Sequence, residues 1–150
     1  MKDTLLTSLH SVLMRDLGVL EKEISLYKSE ESLWIIDKSI KNSSGNLCLH
    51  LCGNLNYYIG NILGKHEYVR DRDAEFCSRN IPSAKLVAEI KKTKAIIDDT
   101  VLKLKEDQLN SNFPVEVFGK PMTTLFFLIH LTAHFSYHLG QINYHRRLLG

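Results

Sequence analysis

The chain has 150 residues, 44% of them apolar, which is enough to fill the core of a single domain over 1–150. Charged residues make up 24%, and 19 basic against 17 acidic side chains leave a net charge of only +2, too even a balance for a nucleic-acid binder. Three prolines and eight glycines exclude a collagen-like or disordered chain, and three cysteines (Cys48, Cys52, Cys77) cannot pair completely or frame a disulfide scaffold.

Unpaired cysteines fit a reducing cytoplasm. Lys2, Asp3, His10, Arg15 and Asp16 interrupt the first turns, so no export signal is expected there. The longest apolar run, Leu125 to Ile129, is far short of the roughly 20 residues of a membrane span. A soluble, cytoplasmic protein is expected.

Apolar spacing predicts a first helix from Thr4 to Lys28, with Leu5, Leu6, Leu9, Val12, Leu13, Leu17, Leu20 and Ile24 on one stripe. Arg15, Glu21, Lys22 and Glu23 fall off that stripe and are expected to face water. Lys28 to Ser44 reads as a connection, with Trp34-Ile35-Ile36 tucked inward. A second helix fits Asn46 to Leu63, capped by Ser43 or Ser44 and stopped by Gly64. Residues 64–80 carry dense charge and no period, and read as a long loop.

A third helix is predicted from Ser83 to Gln108, with Leu86, Val87, Ile90, Ile97, Val101 and Leu104 inward. The stretch 110–120 holds the one credible β segment, Val115 to Phe118, too short to found a sheet. Pro121 is expected to open a fourth helix, apolar almost all round, that runs to Leu149. Four helices of this length predict an all-α, up-down four-helix bundle.

Histidine placement carries the chemistry. Four of the seven histidines, His130, His134, His138 and His145, fall on the last helix within about 80° of one another. An i, i+4 spacing places two imidazoles about 6 Å apart along the axis, close enough to share one ion. The pairs His130/His134 and His134/His138 both qualify, and spacing does not choose between them.

His50 lies mid-way along the second helix, with Asn54, Tyr57 and Asn61 within about 40° of it. Such a polar stripe needs internal partners. Alone, His50 reads as a hydrogen-bonded core residue; with a facing histidine pair, three imidazoles around one divalent ion become the better account. Cys48 and Cys52 point away from His50 and read as buried structural thiols. No Glu-x-x-His, HExxH, CxxCH, phosphate-binding loop or GxSxG is present.

HFSYHLGQINYHRRLL at 134–149 and the lone histidine of LHLCGN at 49–54 resemble the DinB/YfiT-like superfamily. RDRDAEF at 70–76 resembles an uncharacterised bacterial branch of it. By motif position, the resemblance selects His50, His134 and His138 as ligands and leaves His130 outside. It implies a four-helix bundle holding a divalent ion, zinc or nickel, often as a homodimer. Characterised members include transferases that use bacillithiol, mycothiol or glutathione, and a thiol-dependent isomerase. The implied function is a metal-dependent transfer of a low-molecular-weight thiol to small electrophiles. The alternative is a non-catalytic metal-binding or stress-associated bundle.

Asn54, Tyr57 and Gln141 are candidates to orient the imidazoles or line the pocket. Arg70 and Arg72 can clamp a carboxylate, or Arg70, Asp71, Arg72 and Asp73 can pair among themselves, the favoured reading. Arg146 and Arg147 complement the C-terminal end of the last helix and need no further role.

Overall fold

The computed structural model describes residues 1–150, apart from the side chain of Lys2. Among the described residues the regular structure is all helical, with six α-helices and no strand. Among these residues no helix is long and apolar enough to cross a membrane.

Helix α1 (Lys2–Ser25) buries the stripe Leu6, Leu9, Leu13, Leu17, Leu20 and Ile24. Glu23, expected to face water, is instead buried. It accepts hydrogen bonds from Asn143 Nδ2 at 2.8 Å and Arg146 Nε at 2.5 Å, so Arg146 does more than complement a helix end. Buried Asp16 likewise accepts from Ser136 Oγ at 2.7 Å and from Arg15 Nε. In the connection that follows, Leu33 and Trp34 are buried, whereas Ile35 and Ile36 stay exposed, which corrects the expected inward run.

Helix α2 (Ser44–Leu55) begins two residues before the expected Asn46 and is capped by Ser43, one of the two candidates, whose Oγ accepts from Asn46 N–H. At Asn56 the backbone widens into a π-helical stretch that continues to Leu63. Gly64 ends it, its N–H donating to the Ile59 carbonyl, five residues back. Gly64 itself is right-handed at φ −90°, and the left-handed residue is Lys65. The glycine is required by close packing instead: a Cβ there would lie 2.5 Å from Thr100 Oγ1.

The segment expected to be a loop contains helix α3 (Arg72–Cys77). Asp71 caps it by accepting from Ala74 N–H at 3.0 Å. Asn46 Nδ2 satisfies its far end, donating to the carbonyls of Glu75 and Ser78.

Helix α4 (Ser83–Thr100) is shorter than predicted. A 3₁₀ turn at Val101–Lys103 and extended Leu104 separate it from helix α5 (Glu106–Asn110). Leu104 and Leu109 are both buried, and a continuous helix would set them about 140° apart, so the chain bends to bury both.

Residues 114–121 form a loop whose neck is closed by Phe113 N–H to Met122 O and Thr124 N–H to Ser111 O. No strand forms over Val115–Phe118; the one β-bridge is Asn112 with Thr123. Helix α6 (Thr124–Leu149) begins beyond Pro121, capped by Thr123, which accepts from Phe126 N–H. It is not enclosed all round, since Phe126, Ile129, Tyr137, Tyr144 and Leu148 are exposed.

Both α1 and α2 pack on α4 and on α6. Chain direction follows from side-chain pairs. His10 meets Asp98 while Glu21 meets Lys91 and Lys94, so α1 and α4 are antiparallel. Asp16 meets Ser136 and Glu23 meets Arg146, so α1 and α6 run parallel. Asn56 bonds Glu89 and Gly64 abuts Thr100, making α2 parallel to α4. His50 meets His134 while Tyr58 meets Phe127, making α2 antiparallel to α6. The order is therefore up, down, down, up, which corrects the expected simple alternation. Short loops would force antiparallel neighbours; the long connections at 26–43, 64–82 and 101–123 release that constraint.

Candidate metal centre

Helix α2 presents His50 to α6, which answers with His134 and His138 one turn apart. Each of the three offers a ring nitrogen, and these nitrogens lie within 4.8 Å of one another. Nε2 of His50 and Nε2 of His134 face each other at 3.2 Å. The His50 ring stands edge-on to both α6 rings, with centroids 5.1 Å from His134 and 5.4 Å from His138.

Two of the outer nitrogens are held. His50 Nδ1–H donates to Glu75 Oε1 at 3.0 Å, and His138 Nδ1–H donates to Gln141 Oε1 at 2.7 Å. Each bond fixes a tautomer with the proton outside and the Nε2 lone pair turned inward, the arrangement by which imidazoles ligate divalent ions. His134 Nδ1 is buried and has no protein partner. Three imidazoles converging in this way fit a borderline-soft divalent cation.

Glu75 is the residue that reading the sequence missed. It is buried on α3 and accepts two hydrogen bonds from Arg70, from Nε and from Nη2, each at 2.9 Å. Burial alone would raise its carboxyl, but the bonds from His50 and Arg70 and the Arg70 charge outweigh it and hold the carboxyl below its usual range. The neighbouring Phe76 ring packs 4.8 Å from His50. The dense charge of RDRDAEF was visible, but a helix of one and a half turns shows no period that could assign Glu75 a direction.

None of the four charged residues at 70–73 is paired with another, contrary to the favoured expectation. Arg70 binds Glu75, Asp71 caps α3, and Arg72 lies over the Phe76 ring at 5.2 Å.

Of the other candidates, Gln141 holds His138, and Asn54 is buried beside His50 on the cavity described below. Tyr57 lines neither of the two cavities beside the histidines. Its ring packs on Tyr58, and Tyr58 lines the cavity in its place. A wheel drawn at 100° per residue fails beyond Leu55, because the π-helical stretch changes the angular step. Asn61 donates to the His66 carbonyl and secures the turn. His130 stays outside the cluster, stacked on Phe127 with Phe118 at its edge. His145 is structural, its Nε2–H donating to the Ile35 carbonyl while Nδ1 lies 2.6 Å from Tyr27 Oη, which also bonds Ser44 Oγ. Cys48 and Cys52 are buried free thiols, with Cys48 pushed well up by its bond to Cys52 and by burial.

Two cavities flank the cluster. One of about 320 Å³ contains His50 and His134 together with His130, Arg70, Arg72 and Phe118. The other, of about 520 Å³, lies on the side of His138 and Gln141 and is walled by Ile40, Leu47, Tyr137, Tyr144 and Leu148.

Burial, then the neighbouring His138, His50, His130 and Arg70, lowers the His134 pKa to about 4; His138 is also lowered, mainly by burial. Both imidazoles are therefore neutral at pH 7. Without metal, the unfolded chain binds more protons than the folded one at pH values between about 6.5 and about 4. Stability from this source is complete above about 6.5 and declines as pH falls through that window. Urea midpoints of chelated protein should therefore drop between about pH 7.5 and about pH 5, and drop less in His134→Ala. An equal drop in that variant would show that the loss arises elsewhere.

An all-helical chain that gathers three histidines from two helices defines a class of candidate metal-binding proteins. Within it, the chain belongs to the family described as "Protein of unknown function (DUF1572)", whose model matches residues 4–150. Comparison with curated proteins gives no match.

Proposed function

We propose that the chain is a four-helix bundle of the DinB/YfiT-like type, and that His50, His134 and His138 hold one divalent ion, zinc or nickel. The convergence of three ring nitrogens within 4.8 Å carries this reading. Its support comes from the outer bonds to Glu75 and Gln141 and from the motif resemblance at 49–54 and 134–149. We further propose that the protein transfers a low-molecular-weight thiol to small electrophiles.

A divalent ion bound by neutral ligands supplies Lewis acidity, which favours the thiolate form of a sulfur ligand near neutral pH. The chain supplies the rest. Glu75 and Gln141 keep the protons of His50 and His138 on Nδ1, and burial keeps His134 neutral. Phe76 packs on the His50 ring, and Tyr58 and Phe118 line the cavity beside His50 and His134. In the overall reaction the S–H bond breaks and an S–C bond forms. An epoxide C–O bond opens, and the thiol's proton ends on the resulting hydroxyl.

Bacillithiol, glutathione, cysteine and coenzyme A, each offered with an epoxide, test this. At least one should react faster with wild type than with His50→Ala. The acceleration should vanish on chelation and return with zinc or nickel. Equal rates for all four thiols would leave the non-catalytic metal-binding bundle. A homodimer is also proposed, supported by the resemblance and by the exposed apolar residues of α6. Sedimentation at micromolar concentration should give twice the 17.2 kDa chain mass, and a monomer would refute it.

A further inference from the structure

The smaller cavity, against His50 and His134, is lined by Arg70, Arg72, Asn54 and three imidazoles, with no carboxylate. The rest of its lining is Tyr58, Val117, Phe118, Phe127 and Leu131. The two arginines differ in what they have left to offer. Arg70 is neutralised by its two bonds to Glu75. Arg72 has no carboxylate partner among the described residues; it is exposed, lines the cavity and lies over the Phe76 ring.

Asn54 adds a second, independent demand. It is 7% exposed, and its Oδ1 is buried with no hydrogen-bond partner. An orphaned buried acceptor costs free energy that a ligand N–H or O–H would recover. The volume of about 320 Å³ sits at the low end of the size range of small-molecule pockets.

From these features we infer that the substrate entering this cavity is a small organic carboxylate with an apolar or aromatic body and a hydroxyl or amino group. The carboxylate seats on Arg72, the polar hydrogen reaches Asn54, and the body lies on Phe118, Phe127 and Leu131. Arg72 matches a carboxylate bidentately, which a lysine cannot reproduce. An amine of the same size is excluded, because it would meet guanidinium groups and no anion. The inference rests on the reading above in one respect only, that this cavity opens onto the proposed metal ligands.

Binding is read by titration calorimetry with three probes: 3-phenyllactate, 3-phenylpropanoate lacking the hydroxyl, and 2-phenylethylamine. Full-length protein is used both loaded with zinc and chelated. Phenyllactate should bind wild type, phenylpropanoate more weakly and phenylethylamine not at all. Arg72→Gln should weaken phenyllactate about tenfold or more, Arg72→Lys less, and Asn54→Leu should erase the advantage of the hydroxyl. Lys41→Gln, at the other cavity, should leave binding unchanged. No binding of phenyllactate to wild type, equal binding to Arg72→Gln, or binding of the amine would each overturn the inference. If the Arg72 dependence persists in protein that retains no ion under metal analysis, the carboxylate site stands and the metal reading falls. If an ion is retained but Arg72→Gln has no effect, the reverse holds.

Discussion

His134→Ala and His138→Ala are expected to abolish ion retention, whereas His130→Ala should keep about one divalent ion per chain, as wild type does. The protein must be purified without an affinity tag, equilibrated with zinc or nickel and analysed for metal. Each triad residue contributes one of three ligand atoms, and no fourth histidine, cysteine or carboxylate shares the cluster among the described residues. Losing one ligand should therefore cost more than the 10–100-fold typical of losing an outer partner. Glu75→Gln should fall in that intermediate range, because it keeps the shape while removing the charge that holds His50 Nδ1–H. If His130→Ala empties the site and His138→Ala does not, the ion lies between His130 and His134.

That choice marks the limit of what the chain's pattern reveals. Spacing on α6 placed His130, His134 and His138 on one stripe and left two pairs equivalent. The separation comes from α2, whose His50 meets His134 and His138, while aromatic rings enclose His130. The apolar stripes of α1 and α4 were legible because long helices repeat their period several times. Glu75 and Tyr58 were not. Glu75 acts from a helix too short to show a period, and Tyr58 replaces Tyr57 because the π-helical stretch alters the wheel. Chain direction was hidden too, since long connections leave neighbouring helices free to run parallel.

Gly53 offers the sharpest test of the Glu75 arrangement. It lies inside α2, where alanine would ordinarily gain about 1 kcal/mol of helix propensity. A Cβ at this position would stand 2.1 Å from Glu75 Oε2 and 2.7 Å from its carboxyl carbon, closer than any real contact. Glu75 cannot swing away cheaply, because both its oxygens are bonded to Arg70 and one also to His50. Displacing it would leave the Arg70 guanidinium uncompensated in a largely buried site, and breaking such a pair costs about 3 kcal/mol or more. Gly53→Ala is therefore expected to destabilise the protein by about 2 kcal/mol net, read as a lower urea midpoint, and to weaken zinc binding together with Glu75→Gln. The pairing of the two effects is the decisive feature. In a Gly53→Ala/Glu75→Ala double variant the clash is gone, so the added cost of the Gly53 change should disappear or turn into a gain. If Gly53→Ala is neutral on its own, or its cost persists in the double variant, Glu75 is not the group for which α2 keeps a glycine.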